Sequence, residues 1–206
     1  MPRLSYQHVF EPGTDPSAPP LLLLHGTGGN EHDLLRLGRT ASPGSALLSP
    51  RGDVVEGQGV LRFFARLGEG VFDPAEITRR THALADFVLA AAVRYGLQPL
   101  QLMAVGFSNG ANIAATMLLL RPDALGGGVL LRSMLVLDQP ALPGSLAGRR
   151  VLLLNGTTDP LVSPDDPARL AALLRAGGAD VKTEIIPASH QLTPQDVAAA
   201  QRFLRP

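Results

Sequence analysis

Apolar residues in this chain come in short runs separated by stretches with helical spacing. Leu21-Leu22-Leu23-Leu24 is continuously apolar, and comparable runs recur at 46–49, 100–105, 128–131 and 151–154. Runs of this length, bounded by Gly, Pro and Asn, predict strands covered on both faces. A further strand is predicted at 181–186, and an edge strand at 6–10. Residues 11–20, rich in Pro, Gly and Ser, read as a loop. Helical patterns fill the intervals. Asn30, with Asp33 three residues on, offers an N-cap for a short helix through Leu37. Asp73-Pro74 opens a long helix that ends at Tyr95-Gly96. Further helices are predicted over 109–120, over 164–176 before Gly177-Gly178, and over 194–204. Residues 52–70 are broken by glycines and read as irregular, a helical turn over 60–67 being the regular element open to them. Strands alternating with helices predict an α/β fold with a mostly parallel central sheet flanked by helices. No repeat or linker divides residues 1–206, so a single domain is expected. No insertion between strands is long enough to build a large lid.

Composition narrows the function classes. The chain has 206 residues, of which 45% are hydrophobic and 17% charged, and its formal net charge is zero. That suits a packed globular domain and speaks against a nucleic-acid partner, which calls for a basic face. Cysteine is absent, which rules out disulfides, thiolate metal ligands and a cysteine nucleophile. No basic region followed by a long apolar run opens the sequence, and no apolar run is long enough to span a bilayer. A cytoplasmic protein without membrane insertion is the expectation. Monomer and homodimer are both left open.

Candidate chemistry enters with Gly106-Phe107-Ser108-Asn109-Gly110. A G-x-S-x-G pentapeptide is common by itself, but this one lies between a predicted strand and a predicted helix. There a serine is forced through a sharp turn that lifts its hydroxyl above the sheet edge. A serine hydroxyl needs a base to take its proton, usually a histidine oriented by a carboxylate. His190 is the only histidine after Ser108 and follows the predicted strand at 181–186. Asp159 follows the run at 151–154. Carboxyl ends of parallel strands open on one edge of a sheet, so Ser108, Asp159 and His190 would converge there. Asp138, beyond an earlier strand, is the second choice for the acid. Asp165 and Asp166 read as helix-start residues.

His25-Gly26-Thr27-Gly28-Gly29 follows the first strong strand and could aim backbone N–H groups at an oxyanion. The N–H groups of Thr27 and of Asn109, the residue after Ser108, are assigned that role. A dinucleotide-binding loop is the rival reading, but Glu31 stands where its third glycine should be. Arg51, Phe63, Phe64 and Leu161 are candidate pocket residues. For Phe63 and Phe64 the competing reading is plain core, and for Arg51 it is a tie holding the loop after its strand.

Together these residues make the chain resemble the carboxylesterase/phospholipase branch of the α/β-hydrolase superfamily. The resemblance extends over His25 to Glu31, over Leu48-Ser49-Pro50-Arg51-Gly52, and from Arg62-Phe63-Phe64 to Glu69-Gly70-Val71-Phe72-Asp73. Those segments are similar to small bacterial esterases of the hydroquinone-stress or metal-inducible kind. One departure is Ser189, where such proteins carry glycine before the histidine. The resemblance implies a serine hydrolase without metal or cofactor, acting on carboxylic esters or thioesters; with the triad residues, the expected reaction is cleavage of a small-molecule carboxylic ester through an acyl-enzyme. A lysophospholipase or acyl-thioesterase with the same triad is the alternative within that chemistry. A hydrolase-fold protein that binds a small ligand without turnover is the alternative outside it.

Overall fold

In the computed structural model, which describes residues 4–205, the apolar runs become strands whose successive side chains point to opposite faces. Leu21 and Leu23 of β2 (Leu21–Leu24) enter one hydrophobic core, and Leu22 and Leu24 enter another on the far side. β6 (Met103–Phe107), β7 (Gly127–Leu131) and β8 (Arg150–Gly156) divide in the same way. Both faces must therefore be covered, and continuous apolarity replaces polar alternation. β1 (His8–Glu11), β3 (Leu47–Pro50) and β9 (Asp180–Ile186) complete a seven-stranded sheet in the order β1-β3-β2-β6-β7-β8-β9. Only β1 runs antiparallel to its neighbour.

Helices α2 (Pro74–Tyr95), α3 (Asn109–Leu120) and α4 (Asp166–Ala176) cover one face, and α1 (Leu35–Ala41) and α5 (Pro194–Leu204) the other. α2 has the expected ends. The Asp73 carboxylate accepts the Ala75 N–H at 2.9 Å, and Gly96 closes the helix at φ 68°. Among the described residues no helix is long and apolar enough to cross a membrane.

Three local expectations change. Residues 60–67 hold no helical turn. β4 (Val54–Glu56) and β5 (Val60–Arg62) form an antiparallel hairpin, turned by Gly57 and Gly59 at positive φ. The Asn30 side chain accepts the N–H of His32 two residues on, a local turn that competes with helix capping, and α1 begins only at Leu35. The strand expected from residue 100 starts at Met103, because Pro99–Gln101 forms one turn of 3-10 helix.

Strand order also sets where a site can lie. From β2 the chain moves to β3 on one side, and from β6 it moves to β7, β8 and β9 on the other. The direction of winding reverses between β2 and β6, which leaves a crevice at their carboxyl ends. Thr27 follows β2, and Ser108 follows β6. The connection over 132–149 contains turns but neither helix nor strand, so no large lid is built there.

Candidate active site

Ser108 occupies the turn between β6 and α3 at φ 52° and ψ −116°. Positive φ is unfavourable for a residue with a Cβ, and such strain persists only where the surroundings impose it. Here the Ser108 N–H donates to Leu131 O at 2.9 Å, and Ser108 O accepts the Asn112 N–H at 2.9 Å. Glycine flanks the turn because nothing larger fits. A Cβ on Gly106 would stand 2.6 Å from Gly110 O, and one on Gly110 would run into the Leu24 carbonyl. The Ser108 hydroxyl does not cap α3. It lies 2.8 Å from His190 Nε2 instead.

The opposite side of the imidazole faces Asp159. His190 Nδ1 is 2.8 Å from Asp159 Oδ2 and 3.0 Å from Oδ1. With Nδ1–H donating to the carboxylate, Nε2 is left to accept the serine proton. The Asp159 side chain is 1% exposed and its Oδ1 also accepts the Leu161 N–H at 2.9 Å. Asp138 lies apart from this chain of hydrogen bonds, an exposed carboxylate paired with Arg169 at 2.6 Å.

The cavity beside Ser108 has a volume of about 130 Å³. Thr27, Asn109 and His190 line it with Ser108, and so does Leu161. Among the described residues the N–H groups of Thr27 and Asn109 donate to no backbone carbonyl. The Thr27 loop is held by its neighbours: Gly28 N–H donates to Leu61 O at 2.9 Å and Gly29 N–H to Gly26 O at 3.1 Å.

Other pocket expectations are corrected. Phe63 and Phe64 are fully buried and do not line the cavity. Phe63 packs on His25 at 4.7 Å between ring centroids, and Phe64 meets Phe72 edge-on at 5.5 Å. Phe72, which the sequence places in the same esterase-like segment but not in the pocket, reaches the cavity instead. Arg51 is also outside the cavity. It donates to both carboxylate oxygens of Glu31, a residue 2% exposed that also accepts from Gln7 Nε2 at 2.9 Å. The Arg51 hydrogen bonds hold the Glu31 carboxyl down at about 2. Arg51 is thus the tie between the strand ends, because its guanidinium is already paired with both oxygens of a buried carboxylate.

His25 has a comparable role. Its ring is buried, with Nδ1 2.7 Å from Gly26 O and Nε2 accepting the Gly52 N–H at 2.9 Å. Burial lowers its pKa below the ordinary histidine value.

Two groups of residues at the site had no role assigned from the sequence. Arg62, Arg66 and Asn112 line the cavity. The second group is a buried ion pair behind His190. Arg132, 0% exposed and at φ 56°, donates to Asp196 Oδ1 at 2.7 Å and Oδ2 at 2.9 Å. The same guanidinium donates to Ser189 O and Gln191 O, each at 2.9 Å, the carbonyls on either side of His190. Asp196 in turn accepts from Thr193 N and Oγ1 at the start of α5. The only signal in the sequence was the capping pattern Thr193-Pro194-Gln195-Asp196. Nothing local pointed to Arg132, which reaches Asp196 across 64 residues.

With this geometry in place, likeness to other proteins becomes informative. The sequence pattern of the phospholipase/carboxylesterase family matches residues 67–206. MhqD of Bacillus subtilis (strain 168) is 42% identical over 199 residues, covering 97% of this chain and 98% of that protein. The crystal structure of the Bacillus cereus carboxylesterase is 42% identical and superposes with a TM-score of 0.90, over 95% of this chain and 92% of that one. The structure of YahD with malic acid is 32% identical with a TM-score of 0.89, over 95% of this chain and 96% of that one.

Proposed function

As a member of the phospholipase/carboxylesterase family this chain is a hydrolase, and we propose that it cleaves small carboxylic esters through an acyl-enzyme on Ser108. The observation that carries this reading is the hydrogen-bonded chain from Ser108 Oγ through His190 to Asp159, set on a positive-φ turn. As the Ser108 oxygen attacks the ester carbonyl, its proton passes to His190 Nε2 across 2.8 Å. Buried Asp159 holds the ring in the accepting tautomer and stabilises the imidazolium that results. Negative charge develops on the former carbonyl oxygen. The Thr27 and Asn109 N–H groups are its donors, each contributing about 3–4 kcal/mol. The alcohol then departs with the proton that His190 returns. In the second half, water gives a proton to His190 and attacks the acyl-enzyme, releasing the acid and restoring Ser108.

The small, partly polar cavity favours a compact acyl group over a fatty chain. Malic acid, the molecule named with the YahD structure, is of the same compact, polar type. That likeness weighs toward small esters and against the lysophospholipase alternative.

The test is covalent labelling. A fluorophosphonate probe should modify Ser108 in the wild type and leave Ser108→Ala unlabelled. Turnover in that variant should drop by about 10⁶, the residue being what binding and the oxyanion donors still provide. Labelling at another residue, or undiminished turnover in Ser108→Ala, would remove Ser108 from the mechanism.

A further inference from the structure

We propose that the ester this site accepts carries a carboxylate within a few bonds of its scissile carbonyl, and that Arg62 binds it. The proposal rests on Ser108 being the nucleophile and adds the substrate class.

Arg62 ends β5 and its side chain is 5% exposed, yet it lines the cavity that holds Ser108 and His190. Its hydrogen bonds go to neutral oxygens. Nε donates to Phe64 O at 3.1 Å and Nη1 to Thr27 Oγ1 at 2.7 Å. A guanidinium has five N–H donors in a planar fork. Among the described residues no hydrogen-bond acceptor engages Nη2.

The nearest carboxylate is already committed. Glu56 Oε1 stands 3.4 Å from Arg62 Nε, but it accepts the Arg66 N–H at 2.9 Å, and Glu56 Oε2 accepts from Arg66 Nε at 3.2 Å. One carboxylate thus serves two guanidinium groups, and of the two only Arg62 is buried, Arg66 being exposed. Glu69 also lines the cavity, but it is exposed, so water and salt weaken its field.

A buried cation without a full counter-charge is unfavourable. Burial accordingly lowers the Arg62 pKa. A substrate carboxylate offers what the site lacks, two anionic oxygens matched to a planar fork. The bond to Thr27 Oγ1 sets the distance scale, because Thr27 also lines the cavity and is the residue proposed above to give its N–H to the oxyanion. Cation and scissile carbonyl are therefore separated by little more than one side chain.

The experiment compares matched esters by pH-stat. Monoethyl succinate is paired with ethyl 4-methylpentanoate, which has the same shape on the acyl side without the charge. Acetoxyacetate is paired with isobutyl acetate, its neutral counterpart on the alcohol side. For at least one pair the wild type should show kcat/KM about tenfold or more higher for the anion, and which pair responds identifies the side that faces Arg62. Arg62→Gln keeps a donor for Thr27 Oγ1 but loses the charge, and should bring that ratio to about one.

Wild-type ratios at or below one in both pairs would overturn the proposal without recourse to any variant. So would an Arg62→Gln variant that lost activity on both members of a pair equally, since Arg62 would then only hold the Thr27 loop. Fluorophosphonate labelling of Ser108, run in parallel, separates these outcomes from failure of the nucleophile assignment, which would sink both readings.

Discussion

His25 shows how one side chain can couple a loop to pH. Its ring joins Gly26 O to the Gly52 N–H, an arrangement that requires Nδ1 protonated and Nε2 bare. Protonation would place a donor against a donor inside a buried site. Burial lowers the folded pKa below the ordinary 6.5, so the unfolded chain takes up this proton first as pH falls. Stability from His25 is then complete above about pH 6.5 and is lost as pH descends through the folded value. Glu31 follows the same direction in a lower window, between its ordinary value of 4.5 and about 2. The melting temperature should therefore fall from pH 7.5 to 5, and the slope should flatten in His25→Asn, which cannot titrate. Thermal denaturation across that range checks it, and equal slopes in the two proteins would remove His25 as the cause.

At the scale of elements, the loop between β9 and α5 is positioned from below. Arg132, at the end of β7, ties the carbonyls flanking His190 to Asp196 on the first turn of α5. Arg132→Met leaves a buried carboxylate without its counter-charge, at a cost of about 3–5 kcal/mol. In a chain of this size that lowers Tm by roughly 6–20 °C. Adding Asp196→Asn removes the stranded charge but retains an acceptor for the Thr193 N–H, so most of the stability should return. Turnover should not, because Ser189 and Gln191 still lack their donor and His190 loses its fixed distance to Ser108. A deficit of about 10–10²-fold in kcat at restored Tm is expected. Recovery of kcat together with Tm would make the pair structural alone.

For the molecule as a whole, the lack of a large lid among the described residues leads to an expectation about substrate length. The connection over 132–149 holds neither helix nor strand, and the cavity holds about 130 Å³. A long acyl chain gains about 0.8 kcal/mol for each CH₂ it buries, but only where a channel exists to bury it. Across 4-nitrophenyl acetate, butyrate, octanoate and palmitate, each below its micelle threshold, kcat/KM should fall as the chain lengthens. A steady rise toward palmitate would favour a lysophospholipase.

Local pattern and chain order are what the sequence by itself determined. Apolar runs marked the parallel strands because a strand covered on both faces has no polar side to show. The serine between a strand and a helix, followed by an aspartate and a histidine at later strand ends, pointed to one edge of the sheet because parallel strands share that edge. The glycines at 106 and 110 were legible for the same local reason: a tight turn excludes a Cβ whatever surrounds it. Other features depended on residues far apart in the chain. Asp159 and Asp138 both follow strands, and only the fold brings Asp159 to His190 while leaving Asp138 on the surface beside Arg169. Phe63 and Phe64 were plausible pocket residues until packing drew both rings into the core and left Arg62 facing the cavity. The Arg132–Asp196 pair had no signature as a pair, the capping pattern at Asp196 saying nothing of Arg132, because a buried ion pair is specified by two partners meeting and not by the neighbours of either one. Periodicity records which side of an element is covered; which residues meet across the covered side is decided only when the elements pack.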